Sequence, residues 1–185
     1  MLAAANLLVT EFMATNVGLV PDGDGNYGDW IEVFNADSVA VNLGNYYLTD
    51  NDTNLGKWQF PLITLNPGAY RVVFASAPLD SQGEVLSNYV DGQGKLHTNF
   101  KLDAEGEDLV LAYKDPATQL VSVVHEYAGG FPDQFPNVSY GIASDSMLHY
   151  FDAPTPGGPN GAGLLGAVDD TKFSVDRGST TIRSS

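Results

Sequence analysis

The sequence predicts an all-β sandwich of roughly eight or nine short strands. Three observations lead there. Apolar and polar residues alternate in short runs with the period of two that a half-buried strand requires. Turn formers interrupt these runs at even intervals, with 20 Gly and 10 Pro in 185 residues. No window keeps a helical period, and helix-favouring stretches of Ala, Leu, Glu and Lys are scarce.

Leu7 to Ala14 reads as the first strand, followed by an acidic, Gly-rich loop from Asn16 to Gly28. Asp29 to Asn35 alternates, with Trp30, Glu32 and Phe34 on one face and Ile31 and Val33 on the other. Val41 to Leu48 and Lys57 to Phe60 are further candidates. The Asn66-Pro67-Gly68 turn introduces the strongest strand, Ala69 to Ala75. Pro78 to Lys95 reads as a surface loop. Leu96 to Leu102 and Asp108 to Tyr113 follow as strands. Gln119 to Tyr127 forms a hairpin with its predecessor through Lys114-Asp115-Pro116. Ser139 to Ile142 and His149 to Phe151 make a short closing pair. One inter-sheet core is expected to gather Trp30, Phe34, Tyr47, Trp58, Val73, Phe74 and Leu111.

Eight basic residues face 23 acidic ones, a formal net charge of −15. That field repels phosphates and anionic lipid surfaces, so neither nucleic acid nor membrane insertion is expected. No apolar run is long enough to span a bilayer, and Met1 to Ala5 is too short for a signal core, as if left by processing. There are no cysteines, which excludes disulfides, zinc–thiolate sites and cysteine catalysis but leaves the compartment open.

Several segments in order resemble the lamin-tail domain, an immunoglobulin-like sandwich. They are Val9 to Asn16, Asp22 to Asn35 (DGDGNYGDWIEVFN), Leu43 to Asp50, Lys57 to Pro61, Leu96 to Leu102 (LHTNFKL), Gly106 to Leu111, Ser139-Tyr140-Gly141 and Thr155 to Asn160 (TPGGPN). The acidic loop and the TPGGPN end are closest in style to the bacterial branch. The resemblance implies an immunoglobulin-like module over residues 6–160, flanked by other domains in an extracellular or cell-surface bacterial protein. It implies no catalytic residues. Residues 161–185 then read as a linker, with Thr171 to Gly178 as the start of a following domain.

The oxygen-bearing residues carry the candidate chemistry. Asp22, Asp24 and Asn26 alternate with glycines, and Asp29 follows closely. Such a loop could curl around calcium, which takes six to eight oxygens. Against this, Tyr27 and Val33 stand where a helix–loop–helix calcium motif needs Gly and Glu. An Asx-rich turn explains the same pattern. No cofactor is required, and calcium is the one candidate. Asp50 to Asn54 is a second oxygen-rich loop with a turn as its plain explanation. His97, among apolar neighbours, reads as a structural histidine bonded to backbone rather than a base. His125 and Glu126 are adjacent on a strand and face opposite ways. Ser139 lacks a nucleophile elbow.

The sequence therefore points to a non-catalytic interaction or anchoring module. It would position neighbouring domains or bind an unidentified protein or surface polymer. The alternative is a carbohydrate-binding domain of a secreted hydrolase, which needs exposed, coplanar aromatic residues.

Overall fold

The computed structural model of the chain describes residues 4–164. Its strands in chain order are β1 (Leu7–Met13), β2 (Asp29–Asn35), β3 (Val41–Asn42), β4 (Tyr46–Thr49), β5 (Trp58–Gln59), β6 (Thr64–Leu65) and β7 (Tyr70–Ala75). They continue as β8 (Tyr89–Val90), β9 (Leu96–His97), β10 (Val110–Lys114), β11 (Val121–Glu126), β12 (Ser139–Ile142) and β13 (Leu148–Phe151). The larger sheet runs β13-β12-β1-β2-β7-β9-β8, and the smaller runs β11-β10-β4-β5. β3 and β6 form a separate pair. The two main sheets stack as an immunoglobulin-like sandwich, with β1 lying across from β11. The linker and the Thr171 to Gly178 strand expected from the sequence lie outside the described residues.

The five long alternating segments form strands where expected, and both predicted hairpins, β10–β11 and β12–β13, pair antiparallel. The count exceeds the eight or nine expected because several extra strands have only two residues. Alternation cannot be read over so short a span. The Val41 to Leu48 candidate is broken by a 3₁₀ turn at Leu43–Asn45, where Asn42 Oδ1 accepts the Gly44 N–H at 2.9 Å. The Leu96 to Leu102 candidate is a strand only at Leu96–His97, parallel to β7 and antiparallel to β8, and touches the sheet again at a Lys101–Ser76 bridge. The Thr98 backbone still bonds Phe74 and Ala77, and beyond it the Thr98 hydroxyl donates to the Phe100 carbonyl at 2.7 Å, a local bond that ends the strand.

The core lies between the sheets, built from Leu7, Val9 and Phe12 of β1, Ile31 and Val33 of β2, Leu48, Trp58, Val73 and Leu111. The faces of β2 alternate as the sequence says, but the expected core took the wrong one. Trp30 and Phe74 lie on the outer face of the larger sheet, where they form a small second cluster with Met13. The loop between β1 and β2 covers this cluster through Val20. Phe34 stacks on Tyr70 on that outer face, ring centroids 4.5 Å apart, and Tyr47 is half-buried. Size favoured tryptophan for the core; the strand period placed Ile31 and Val33 there instead.

β1 carries a bulge between Val9 and Glu11. The bulge uses Thr10 as the extra residue, so Glu11 turns to the outer face beside Glu32 while Phe12 still reaches the core.

Trp58 is 2% exposed. Trp58→Ala should lower stability by about 3–5 kcal/mol in chemical denaturation. Tyr27→Ala, at a side chain 49% exposed, should cost less than about 0.5 kcal/mol. An unchanged midpoint for the tryptophan variant would place Trp58 at the surface.

Candidate functional site

One device closes the loops on the β8 side of the sandwich. In each of Asp22–Asn26, Asp80–Glu84 and Asp91–Lys95, the aspartate Oδ1 accepts the N–H groups two and four residues on, at 2.8–2.9 Å. The aspartate N–H donates to the carbonyl four residues on. The fourth residue is Gly25, Gly83 or Gly94, with φ of 84°, 87° and 78°. Only glycine enters that left-handed region without strain. The sequence pattern is Asp-x-x-Gly in each case (DGDG, DSQG, DGQG). The signal for these loops in the sequence is that recurrent spacing, which composition does not carry.

Two of these loops clasp each other. The Gly23 N–H donates to Asp91 Oδ2 at 2.6 Å, and Gln93 Nε2 donates to the Gly23 carbonyl at 2.8 Å. Asp91 also meets the buried His97, Nε2 to Oδ2 at 3.3 Å, while His97 Nδ1 meets Ser76 Oγ at 2.8 Å. The histidine is thus held by side chains, not by backbone as expected, and its ring stacks on Phe74. Burial alone would push the Asp91 carboxyl up. Hydrogen bonds from Lys95, Gln93, Gly23 and His97 outweigh it and hold the group at about 2.

Beneath the clasp lies a cleft of about 450 Å³. The fold brings all four sequence-predicted oxygen residues, Asp22, Asp24, Asn26 and Asp29, into its lining, with Tyr27, Ser76, Tyr89, His97 and Lys101. Each is engaged differently. Asp22 Oδ1 caps its own loop. Asp24 Oδ2 accepts the Tyr89 hydroxyl at 2.7 Å. The Asn26 backbone closes the Asp22 loop. Asp29 Oδ2 accepts the Leu102 N–H at 3.3 Å, and burial raises its carboxyl to about 6. Among the described residues, no three His, Cys, Asp or Glu side chains are grouped to hold a metal ion.

The Asp50 loop lines a separate depression with Glu105, Glu107 and Asp108. Asp50 is bonded there to Lys57 Nζ at 2.5 and 2.7 Å. His149 meets Asp145 at 3.1 Å.

Ser76, His97 and Asp91 are joined in the order of a nucleophile, base and orienting acid. Their surroundings oppose acyl transfer. An oxyanion on a Ser76 adduct would develop in a cleft lined by three carboxylates and, among the described residues, one cation, Lys101. The chain of bonds holds loops in place, and the cleft suits a positively charged group.

A family model described as Lamin Tail Domain matches residues 3–128. The chain belongs to the lamin tail domain family. No curated protein and no solved structure matches.

The lamin tail domain also contains a buried acid pair that the sequence did not reveal. Glu11 and Glu32 face each other across β1 and β2, both fully buried. The segment from Thr155 to Asn160 lies over them as a strap. Glu11 accepts the Ser139 hydroxyl, and the Thr155 N–H at 3.2 Å. Glu32 accepts the Thr10 hydroxyl at 2.7 Å and the Gly157 N–H at 2.5 Å. Asn160 Nδ2 fastens the strap to the carbonyls of Thr10 and Ile142 at 3.0 and 2.9 Å. Burial raises both carboxyls, that of Glu32 to about 7, with Glu11 adding repulsion. The TPGGPN segment is thus an integral part of the fold, beyond the residues the family model matches.

Two outcomes follow. A Cβ on Gly23 would overlap the Asp91 carboxylate, whereas one on Gly92, at the same place in the sister loop, meets nothing nearer than 3.9 Å. Gly23→Ala should therefore cost about 1.5–3 kcal/mol in denaturation, the worth of a charge-assisted bond, while Gly92→Ala should be nearly neutral. Equal effects would dissolve the clasp.

The second concerns pH. Asp29, Glu32 and Glu107 have folded-state values raised to about 6, 7 and 7, so their contribution is complete below 3.8–4.5 and is lost as pH rises through the folded values. Asp91 is depressed, so its contribution is complete above 3.8 and is lost as pH falls toward about 2. Thermal midpoints should peak at about pH 4–5 and decline toward pH 8. A maximum above pH 7 would contradict the buried acids.

Proposed function

We propose that this lamin tail domain is a non-catalytic interaction module of a larger extracellular or cell-surface protein. Set among other domains, it binds a protein or surface polymer through a positively charged group. The observation that carries this reading is the acidic cleft. Its carboxylates, two tyrosines and rigid clasped loops form a shaped anionic recess on a chain of net charge −15. The carbohydrate alternative rested on exposed aromatic residues. Trp30 and Trp58 are both buried, and among the described residues Tyr27, about half exposed, is the most exposed aromatic side chain.

The test compares two double variants of equal charge on one probe, an acetylated lysine-rich peptide. Asp24→Asn/Asp29→Asn should weaken binding about tenfold, the worth of about 1.4 kcal/mol. Asp133→Asn/Asp145→Asn, remote from the cleft lining, should change it about twofold or less through the general field. Equal losses would reduce the cleft to a share of the overall charge.

Calcium is a second occupant we propose for the cleft. The four oxygen residues share its walls, and a divalent ion would relieve the cost that burial imposes on ionised Asp29. It would have to draw Asp24 away from Tyr89. At fixed ionic strength, calcium should raise the thermal midpoint relative to chelator, and Asp22→Ala/Asp24→Ala should abolish the rise. The same midpoint with and without calcium would remove the ion from the proposal.

A further inference from the structure

The open side of the sandwich carries a second depression, beside the acidic cleft. It is a groove of about 500 Å³ between the edge strands β5 and β8, floored by Trp58, Phe60 and Leu96. Its rim holds Leu62, 84% exposed, and Val90, 49% exposed. Among the described residues no charged side chain lines it, although the chain as a whole is strongly acidic.

Both walls offer backbone groups. In β8, the Asp91 N–H donates to the Lys95 carbonyl across the turn to β9, and Val90 pairs with Leu96. Antiparallel strands alternate the direction of their N–H and C=O groups, so those of Val90 point away from β9. In β5, the Phe60 N–H donates to the Tyr46 carbonyl, and Gln59 pairs with Tyr47. By the same alternation, the N–H and C=O of Gln59 point away from β4. Val90 and Gln59 both line the groove.

Tyr89 joins the two depressions. It lines the groove and the cleft, and its hydroxyl bonds Asp24 on the cleft side. A ligand leaving the groove across Tyr89 enters the field of Asp22, Asp24 and Asp29.

We propose that the groove takes an extended polypeptide segment of another protein. The segment adds as a strand to the free edge at Val90, with uncharged alternating side chains over Trp58 and Leu96. A basic residue at one end crosses Tyr89 into the acidic cleft. This deepens the reading of the domain as an interaction module and rests on it. Main-chain bonds at the edge give affinity, alternate side chains fill the groove, and the cleft sets the direction of the strand.

The test uses the full chain and one probe, an acetylated peptide of alternating valine and threonine with paired lysines at one end, titrated by amide-resolved NMR. Shifts should concentrate at Val90, Gln59 and Tyr89. Val90→Pro removes an outward N–H and leaves the bonds between β8 and β9 in place, so it should weaken binding about tenfold without altering the fold. If that variant is damaged, Val90→Lys, which keeps the backbone, should weaken it by charge in the uncharged groove. Loss only with Asp24→Asn/Asp29→Asn, and none with either Val90 variant, would overturn strand addition and leave the interaction-module reading standing. Shifts confined to β11, no binding by the unaltered chain, or tighter binding of a neutral oligosaccharide to the same groove residues would each overturn the proposal.

Discussion

The carboxylate of Asp91 accepts four hydrogen bonds from three stretches of chain, and the open side of the sandwich depends on them. It closes its own loop, ties down the Gly23 loop and fixes the ring of His97. His97 in turn fixes Ser76 at the end of β7. Ionised and surrounded by donors, the group stays charged far below neutrality. The cleft keeps its shape because this one anion is fully satisfied.

Acidic residues elsewhere serve two purposes that net charge does not distinguish. In the Asp22, Asp80 and Asp91 loops they replace a partner strand, taking backbone N–H groups that short loops cannot otherwise satisfy. At Glu11 and Glu32 they are buried against donors from the strap, with no cation bonded to either among the described residues. Some of the excess of acid is thus part of the scaffold, and some lines the cleft and the Asp50 depression.

The parts of this fold legible in the sequence were local. The alternation of Asp29 to Asn35 and of Ala69 to Ala75, and the turns at Asn66-Pro67-Gly68 and Lys114-Asp115-Pro116, fix most long strands within one or two residues. The three oxygen residues of the acidic loop and Asp29 at the start of β2 were visible as a group because they are close in sequence. Their neighbours in the cleft were not. Ser76, Tyr89, His97 and Lys101 arrive through the pairing of β7, β8 and β9, which includes two-residue strands and a parallel register. The outward turn of Glu11 needs a bulge, and its burial needs a segment 144 residues further on. Periodicity carries no information about either.

The strap has a mechanical consequence. Asn160 bonds the carbonyls of Thr10 and Ile142, on the adjacent strands β1 and β12, and β1 begins at Leu7. The first strand and the last described segment, which goes on to bridge Tyr150 of β13 at Leu164, are therefore stapled to one sheet. Tension pulled between them would be carried laterally, through Asn160, the Thr155 and Gly157 amides and the β1–β12 ladder, and would bypass the apolar interior. Under load the Leu164–Tyr150 bonds and then the strap should give way first while both sheets keep their packing, so that the segment acts as a sacrificial link.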